Sequence, residues 1–155
     1  MTESRRSGFL DRIFAIIPAI LTVMAGAIAG GMLNIGIIKA GSQFLPPPAG
    51  VDVMDPESIN ANIDKYATID LLVPLAAHAL GTLLGAFVAA TLAGTRRAGL
   101  RAALIIGCFF LVGGVMAVRM ISNAPAWFKA IDLGGAYIPM ALIGWWLAQR
   151  RNAQA

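Results

Sequence analysis

The chain has 155 residues, of which 58% are hydrophobic and only 13% are charged, and its mean hydropathy is +0.75. A soluble domain has about 45–50% apolar and about 25% charged residues, so this composition excludes an ordinary soluble protein. The net charge of +4 comes from arginines beside apolar segments. It therefore indicates a membrane topology, and we expect no nucleic-acid partner.

Four apolar segments are long enough, or nearly so, to cross a bilayer, whose hydrocarbon core of ~30 Å needs about 20 helical residues. They cover residues 13–38, 71–93, 102–121 and 133–148, the last being the shortest. The sequence therefore predicts an all-α integral membrane protein in which residues 1–155 form a single domain, a four-transmembrane-helix bundle.

The basic residues predict the orientation of this bundle. Eight of the twelve lie near the chain ends and between the second and third spans: Arg5, Arg6, Arg12, Arg96, Arg97, Arg101, Arg150 and Arg151. The other four are Lys39, Lys65, Arg119 and Lys129. Because short cytoplasmic loops are enriched in basic residues, both termini are expected in the cytoplasm and residues 39–69 outside it.

Small residues recur at helical spacing within the spans, and such residues allow helices to approach closely in lipid. The second span has one every four residues, and the first and third spans have glycines at similar intervals. These positions are Ala77, Gly81, Gly85 and Ala89, then Gly26 and Gly30, then Gly107 and Gly114. The pattern predicts close packing and leaves open whether it occurs within one chain or between copies.

The loop over residues 39–69 has a composition unlike the rest of the chain. Its turn-forming and acidic residues include Pro46, Pro47, Pro48, Gly50, Asp52 and Asp55. The prolines favour a stiff segment, and "DPES" predicts a helix start for a short surface helix over about 56–66. In that helix Ile59, Ile63 and Tyr66 share one face. We interpret the loop as an ordered cap over the outer end of the bundle, the alternative being a simple spacer.

Polar side chains within the spans gather in the predicted outer half, where they are functional candidates by default. They are His78, Asn34, Tyr137, Thr82 and Arg119. Asp70 and Asp132 are expected to cap the outer ends of their helices and to be available to pair with Arg119. The group could form a ligand or proton site, or it could only hold helices together, for example through a hydrogen bond between His78 and Asn34.

Metal, cofactor and catalytic signatures are missing from the sequence. There is one histidine and one cysteine, Cys108, and no second clustered ligand at metal spacing. No phosphate-binding loop or dinucleotide fingerprint occurs, and no serine has an identifiable base. We therefore expect no metal, no cofactor and no enzymatic activity.

Three segments together resemble a group of small bacterial four-helix inner-membrane proteins. They are "LPPPAGVDVMDPESI", "PLAAHALGTLLGA" and "APAWFKAIDLGGAYIPMAL", which cover under a third of the chain. The resemblance implies a four-span fold in a bacterial inner membrane and an ordered first outer loop. It carries no activity, cofactor or catalytic residue.

Three functions fit these observations. The first is an accessory or structural subunit that packs against a larger membrane complex or against itself, in contact with membrane lipids. The second is a small-solute transporter or channel with a polar site in its outer half. The third, which the missing catalytic signatures disfavour, is a membrane enzyme acting on lipid.

Overall fold

The computed structural model describes the backbone over residues 3–152 and the side chains over residues 16–151. The side chains of Arg5, Arg6 and Arg12, three of the basic residues that predict the orientation, lie outside the described residues. Over the described range the fold is all helical, as predicted. Its helices are α1 (Glu3–Phe44), α2 (Pro56–Ala61), α3 (Leu72–Leu92), α4 (Arg96–Met120), α5 (Ala126–Gly135) and α6 (Ile138–Asn152).

Among the described residues, four segments are long and apolar enough to cross a membrane, which is the number of apolar spans predicted. They are Ile16–Phe44, Leu72–Leu92, Arg96–Met120 and Ala126–Arg151. The last combines α5 and α6 and is longer than the predicted 133–148, because its helix begins seven residues earlier. The helical conformation is interrupted between Gly135 and Ile138. Pro139 has no N–H to offer the carbonyl of Gly135, which accounts for a break at this point.

Helix α3 is the centre of the bundle and packs against α1, α4 and α6. Its contact with α1 uses the predicted glycines. A Cβ added at Gly26 would lie 2.5 Å from the carbonyl oxygen of Gly85, and one added at Gly30 would lie 2.5 Å from that of Gly81. Only glycine allows the two backbones to come this close. The stripes on these two helices are therefore used within one chain.

The two ends of the bundle differ in the residues that they carry. One side, here called the arginine side, carries Arg96, Arg97, Arg101, Arg150 and Arg151. Its half of the core consists mainly of fully buried alanines from α3, α4 and α6, with Ile106 among them. The opposite side, here called the loop side, is covered by residues 45–71. Buried alanines therefore dominate the contacts between α3, α4 and α6 in the arginine half, whereas the buried polar residues Thr82 and Asp132 lie towards the loop side.

The loop contains the short helix expected from "DPES", but the helix is shorter than the predicted 56–66. The carboxylate of Asp55 accepts a hydrogen bond of 3.0 Å from the N–H of Glu57, and Pro56 is the first helical residue. Helix α2 ends at Ala61, and a single 3-10 turn, Ile63–Lys65, follows. Gly50 has a positive φ of 81° in the turn after the prolines, a conformation that favours glycine.

Candidate functional site

A cavity of about 170 Å³ lies beneath the loop, between it and the ends of α1, α3, α4 and α5. Its walls are mainly apolar, and its polar members are few. Ile59, Ile63 and Tyr66, the predicted apolar face, line it from the loop. That face therefore covers a space at the end of the bundle. We call this space the loop-covered cavity.

His78 and Asp132 line the inner part of this cavity and are hydrogen-bonded to each other. The Nδ1 atom of His78 lies 2.7 Å from Oδ1 of Asp132. His78 is on α3, about 9 Å from the start of that helix at 1.5 Å per residue, and Asp132 is on α5. The carboxylate is 1% exposed. A carboxylate buried this deeply requires donors, and His78 supplies one of them.

Tyr137 supplies the second donor. Its hydroxyl donates to Oδ2 of Asp132 over 2.9 Å and also lies 3.1 Å from Nδ1 of His78. The tyrosine is 2% exposed and occupies the break between α5 and α6. Glycine at position 114 makes this possible, because a Cβ there would overlap the hydroxyl and ring of Tyr137. The three residues form one connected polar cluster, here called the His78 cluster.

The hydrogen bonds of the cluster leave one ring nitrogen of His78 free. With Asp132 as a carboxylate, which only accepts, Nδ1 carries the hydrogen and Nε2 has its lone pair available. Nε2 makes no hydrogen bond to the described residues, and the side chain is 20% exposed. Because His78 lines the cavity, an acceptor is held in place beside an apolar space.

Tyr66, which also lines the cavity, carries a second polar group. Its hydroxyl is buried and has no hydrogen-bond partner among the described residues. Burial raises the pKa of this phenol above its usual value of 10.0, and the carboxylate of Asp70 raises it further. The hydroxyl is therefore neutral at ordinary pH and is able to donate. A buried unpaired hydroxyl is costly, so it indicates a partner that is not part of the chain.

The remaining predicted site residues have other positions. Thr82 is buried beneath His78 but donates its hydroxyl to the backbone oxygen of His78 over 2.8 Å, which is a structural contact within α3. Asn34 lies against Gly81, and no hydrogen bond joins it to His78 among the described side chains. Arg119 is exposed and forms no ion pair with any described carboxylate.

The expected caps are not formed by Asp70 and Asp132. The carboxylate of Asp70 instead accepts from the N–H of Ala67 over 2.8 Å, and the residue that precedes α3 is Leu71. Asp132 is inside a helix whose cap is Pro125, because α5 starts earlier than the hydropathy indicated. Phe128, on the same helix as Asp132, is 8% exposed and packs with Leu71.

Sequence reasoning missed the role of Asp132 and Tyr66 in the cavity. The only signal for Asp132 was an acidic residue within an apolar stretch, and its partner His78 lies 54 residues earlier. Tyr66 was placed on the correct face but was treated only as an apolar residue. No group of three or more potential metal ligands occurs among the described residues.

Comparisons of the chain with protein-family models, with curated proteins and with solved structures give no match.

Proposed function

We propose that this protein binds a small, largely apolar molecule in the loop-covered cavity, and that the ligand carries a hydroxyl or carbonyl group. The observation that carries the proposal is the arrangement of His78, whose Nδ1 is held by Asp132 while the side chain lines the cavity. Ligand sites are typically apolar cavities with a few well-placed polar groups. This cavity has that composition.

Two polar atoms define what the ligand offers. Nε2 of His78 accepts a hydrogen bond, so it fits a hydroxyl of the ligand. The buried hydroxyl of Tyr66 donates, so it fits a hydroxyl or carbonyl oxygen. A ligand with one hydroxyl or carbonyl group forms a hydrogen bond with an otherwise unpaired atom of His78 or Tyr66. The rest of the ligand fills the apolar part of the cavity. Both effects favour binding.

We place the protein in a bacterial inner membrane with both termini in the cytoplasm and the cavity on the outer side. Support comes from the arginines, which all lie on one side among the described residues except Arg119. An even number of spans keeps both termini on the same side. The ligand then comes from the outer leaflet or from outside the cell.

Binding is favoured over conduction through a single chain. A pore needs polar groups or water across the whole membrane. In this bundle the space between α3, α4 and α6 towards the arginine side is filled by side chains such as Ala86, Ala103 and Ala141, each fully buried. The cavity therefore ends at the His78 cluster.

The accessory-subunit hypothesis loses part of its support, because the glycines of α1 and α3 pack against each other. It stays a prediction, with its own test. A larger partner that co-purifies in stoichiometric amount with the tagged protein favours it. A lone monomer or homo-oligomer contradicts it.

The binding proposal is tested by extraction of the purified full-length protein with organic solvent, followed by mass spectrometry. Ala117→Phe fills the cavity that Ala117 lines. Val112→Phe, on the same helix but 60% exposed, is the matched control. We expect one small molecule in near-stoichiometric amount from the wild type and from Val112→Phe, and little from Ala117→Phe. Equal recovery from all three, or no such molecule in any, contradicts the proposal.

A further inference from the structure

A second space lies on the arginine side, far from the His78 cluster. It has a volume of about 620 Å³ and runs between α1, the end of α3 and the start of α4. Its walls include Ile16 to Met24 on α1 and Ala98 to Ile105 on α4. We call it the arginine-side groove.

The described walls of this groove are apolar except at two residues, Thr22 and Arg101. Thr22 is the only hydroxyl among the described lining residues, and it donates to the backbone oxygen of Ala19 over 2.8 Å, so it is already satisfied. The charged member is Arg101, which is exposed. An apolar space with one cation at its edge matches an amphiphile with an anionic head.

The length of the groove fits one leaflet. From Ile16 to Met24 the helix rises about 12 Å. Half of the hydrocarbon core, which is ~30 Å thick, is about 15 Å. Arg101 lies five residues into α4, about 8 Å from the start of the helix, where a long side chain reaches the headgroup level. The groove is therefore placed to take an acyl chain from the leaflet on the arginine side.

The charges around the groove are not balanced within the described side chains. Arg97 and Arg101 are four residues apart on α4, so two like charges share one helix face and repel each other. Arg96 lies over the ring of Trp145 and Arg150 over that of Trp146. Arg97 and Arg101 have no such ring. No described carboxylate lies within 4.0 Å of either arginine.

We infer that the arginine-side groove binds one anionic phospholipid, with an acyl chain between α1 and α4 and its phosphate at Arg101 and Arg97. Arginine binds phosphate through its planar fork of donors, and an anion between two like charges relieves their repulsion. This site is independent of the ligand proposed for the loop-covered cavity, since the two spaces share no lining residue.

The test is native mass spectrometry of the full-length protein with phosphatidylglycerol and phosphatidylcholine of identical acyl chains. Arg101→Gln removes the cation at the groove. Arg151→Gln removes one cation on the same side of the bundle but outside the groove, and it is the matched control. Ala19→Phe fills the groove without changing charge. We expect a preference for phosphatidylglycerol that Arg101→Gln lowers about five-fold and Arg151→Gln leaves unchanged.

Ala19→Phe is expected to lower binding of phosphatidylglycerol as well, whereas added glycerol phosphate does not compete with the lipid. These two measurements distinguish a lipid bound in the groove from an anion bound only by the charged surface. Equal effects of Arg101→Gln and Arg151→Gln overturn the inference. Equal binding of the two lipids, or full binding by Ala19→Phe, overturns it too.

Discussion

The Nδ1 atom of His78 and the Oδ1 atom of Asp132 lie 2.7 Å apart, although 54 residues separate them in the chain. The contact joins the central helix to the first half of the fourth span. It also leaves Nε2 as the nitrogen of His78 that has no partner among the described residues, in a side chain that lines the loop-covered cavity. The contact therefore links the packing of the bundle to the proposed ligand site.

Replacement of Asp132 by asparagine is expected to destabilise the fold. The carboxylate accepts hydrogen bonds from both His78 and Tyr137. In asparagine one of the two oxygens becomes an NH₂ group, which cannot accept, so one of these hydrogen bonds is lost. Loss of a buried partner costs about 1–3 kcal/mol. Unfolding in detergent measures this free energy, and Asp64→Asn is the control because Asp64 is exposed. Equal stability of the two variants contradicts the role given to Asp132.

The two tyrosines are expected to respond in opposite ways to replacement by phenylalanine. Tyr137→Phe removes a donor from buried Asp132 and lowers the free energy of unfolding by about 1–3 kcal/mol. Tyr66→Phe removes a buried hydroxyl that has no described partner. It leaves the stability of the ligand-free protein unchanged or raises it, and it lowers the amount of ligand recovered. Equal destabilisation by both changes is evidence against an unpaired Tyr66.

Two neighbouring glycines provide a test of the packing between α1 and α3. Gly30→Ala places a Cβ 2.5 Å from the carbonyl oxygen of Gly81, and such overpacking costs about 1–3 kcal/mol. Gly31→Ala meets nothing within 4 Å. It is neutral or stabilises the helix by up to about 1 kcal/mol. Unfolding of both variants in detergent measures the difference, and a cost at Gly31 equal to that at Gly30 rules out this helix contact.

Stability is expected to fall in alkali partly because of Tyr66. Its pKa is raised in the folded state by burial and by Asp70, so the folded protein holds this proton more tightly than the unfolded chain. The contribution is complete below pH of about 10 and is lost as the pH rises through the folded pKa. Unfolding between about pH 8 and pH 11 measures it. The Tyr66→Phe variant should show a smaller fall than the wild type, and identical curves contradict the assigned environment.

The spans could be predicted because hydropathy depends only on local sequence. The four segments found in the structure overlap the four predicted ones. The start of the fourth span was wrong by several residues, because Lys129 and Asp132 lower the local hydropathy. The structure places Asp132 in a helix, where its charge is met by partners from other parts of the chain.

The site could be predicted only in part, because the local sequence does not show which residues meet in the folded chain. His78 and Tyr137 were singled out because polar side chains are rare in spans, and the structure brings them together. Asn34 and Arg119 met the same criterion, but the structure places neither of them in the His78 cluster. Composition shows which residues are unusual, whereas the partners of each depend on the rotation of every helix about its axis.

Nitrogen-15 NMR of the imidazole is the sharpest test of a ligand site at His78, because the sequence contains one histidine and its signals need no assignment to a residue. We predict that Nδ1 carries the hydrogen and that Nε2 carries none. We also predict that the Nε2 resonance of the wild type changes when bound small molecules are extracted. The same extraction should leave the resonance of Ala117→Phe unchanged. A hydrogen on Nε2, or a wild-type resonance that extraction does not alter, would contradict a ligand site at His78.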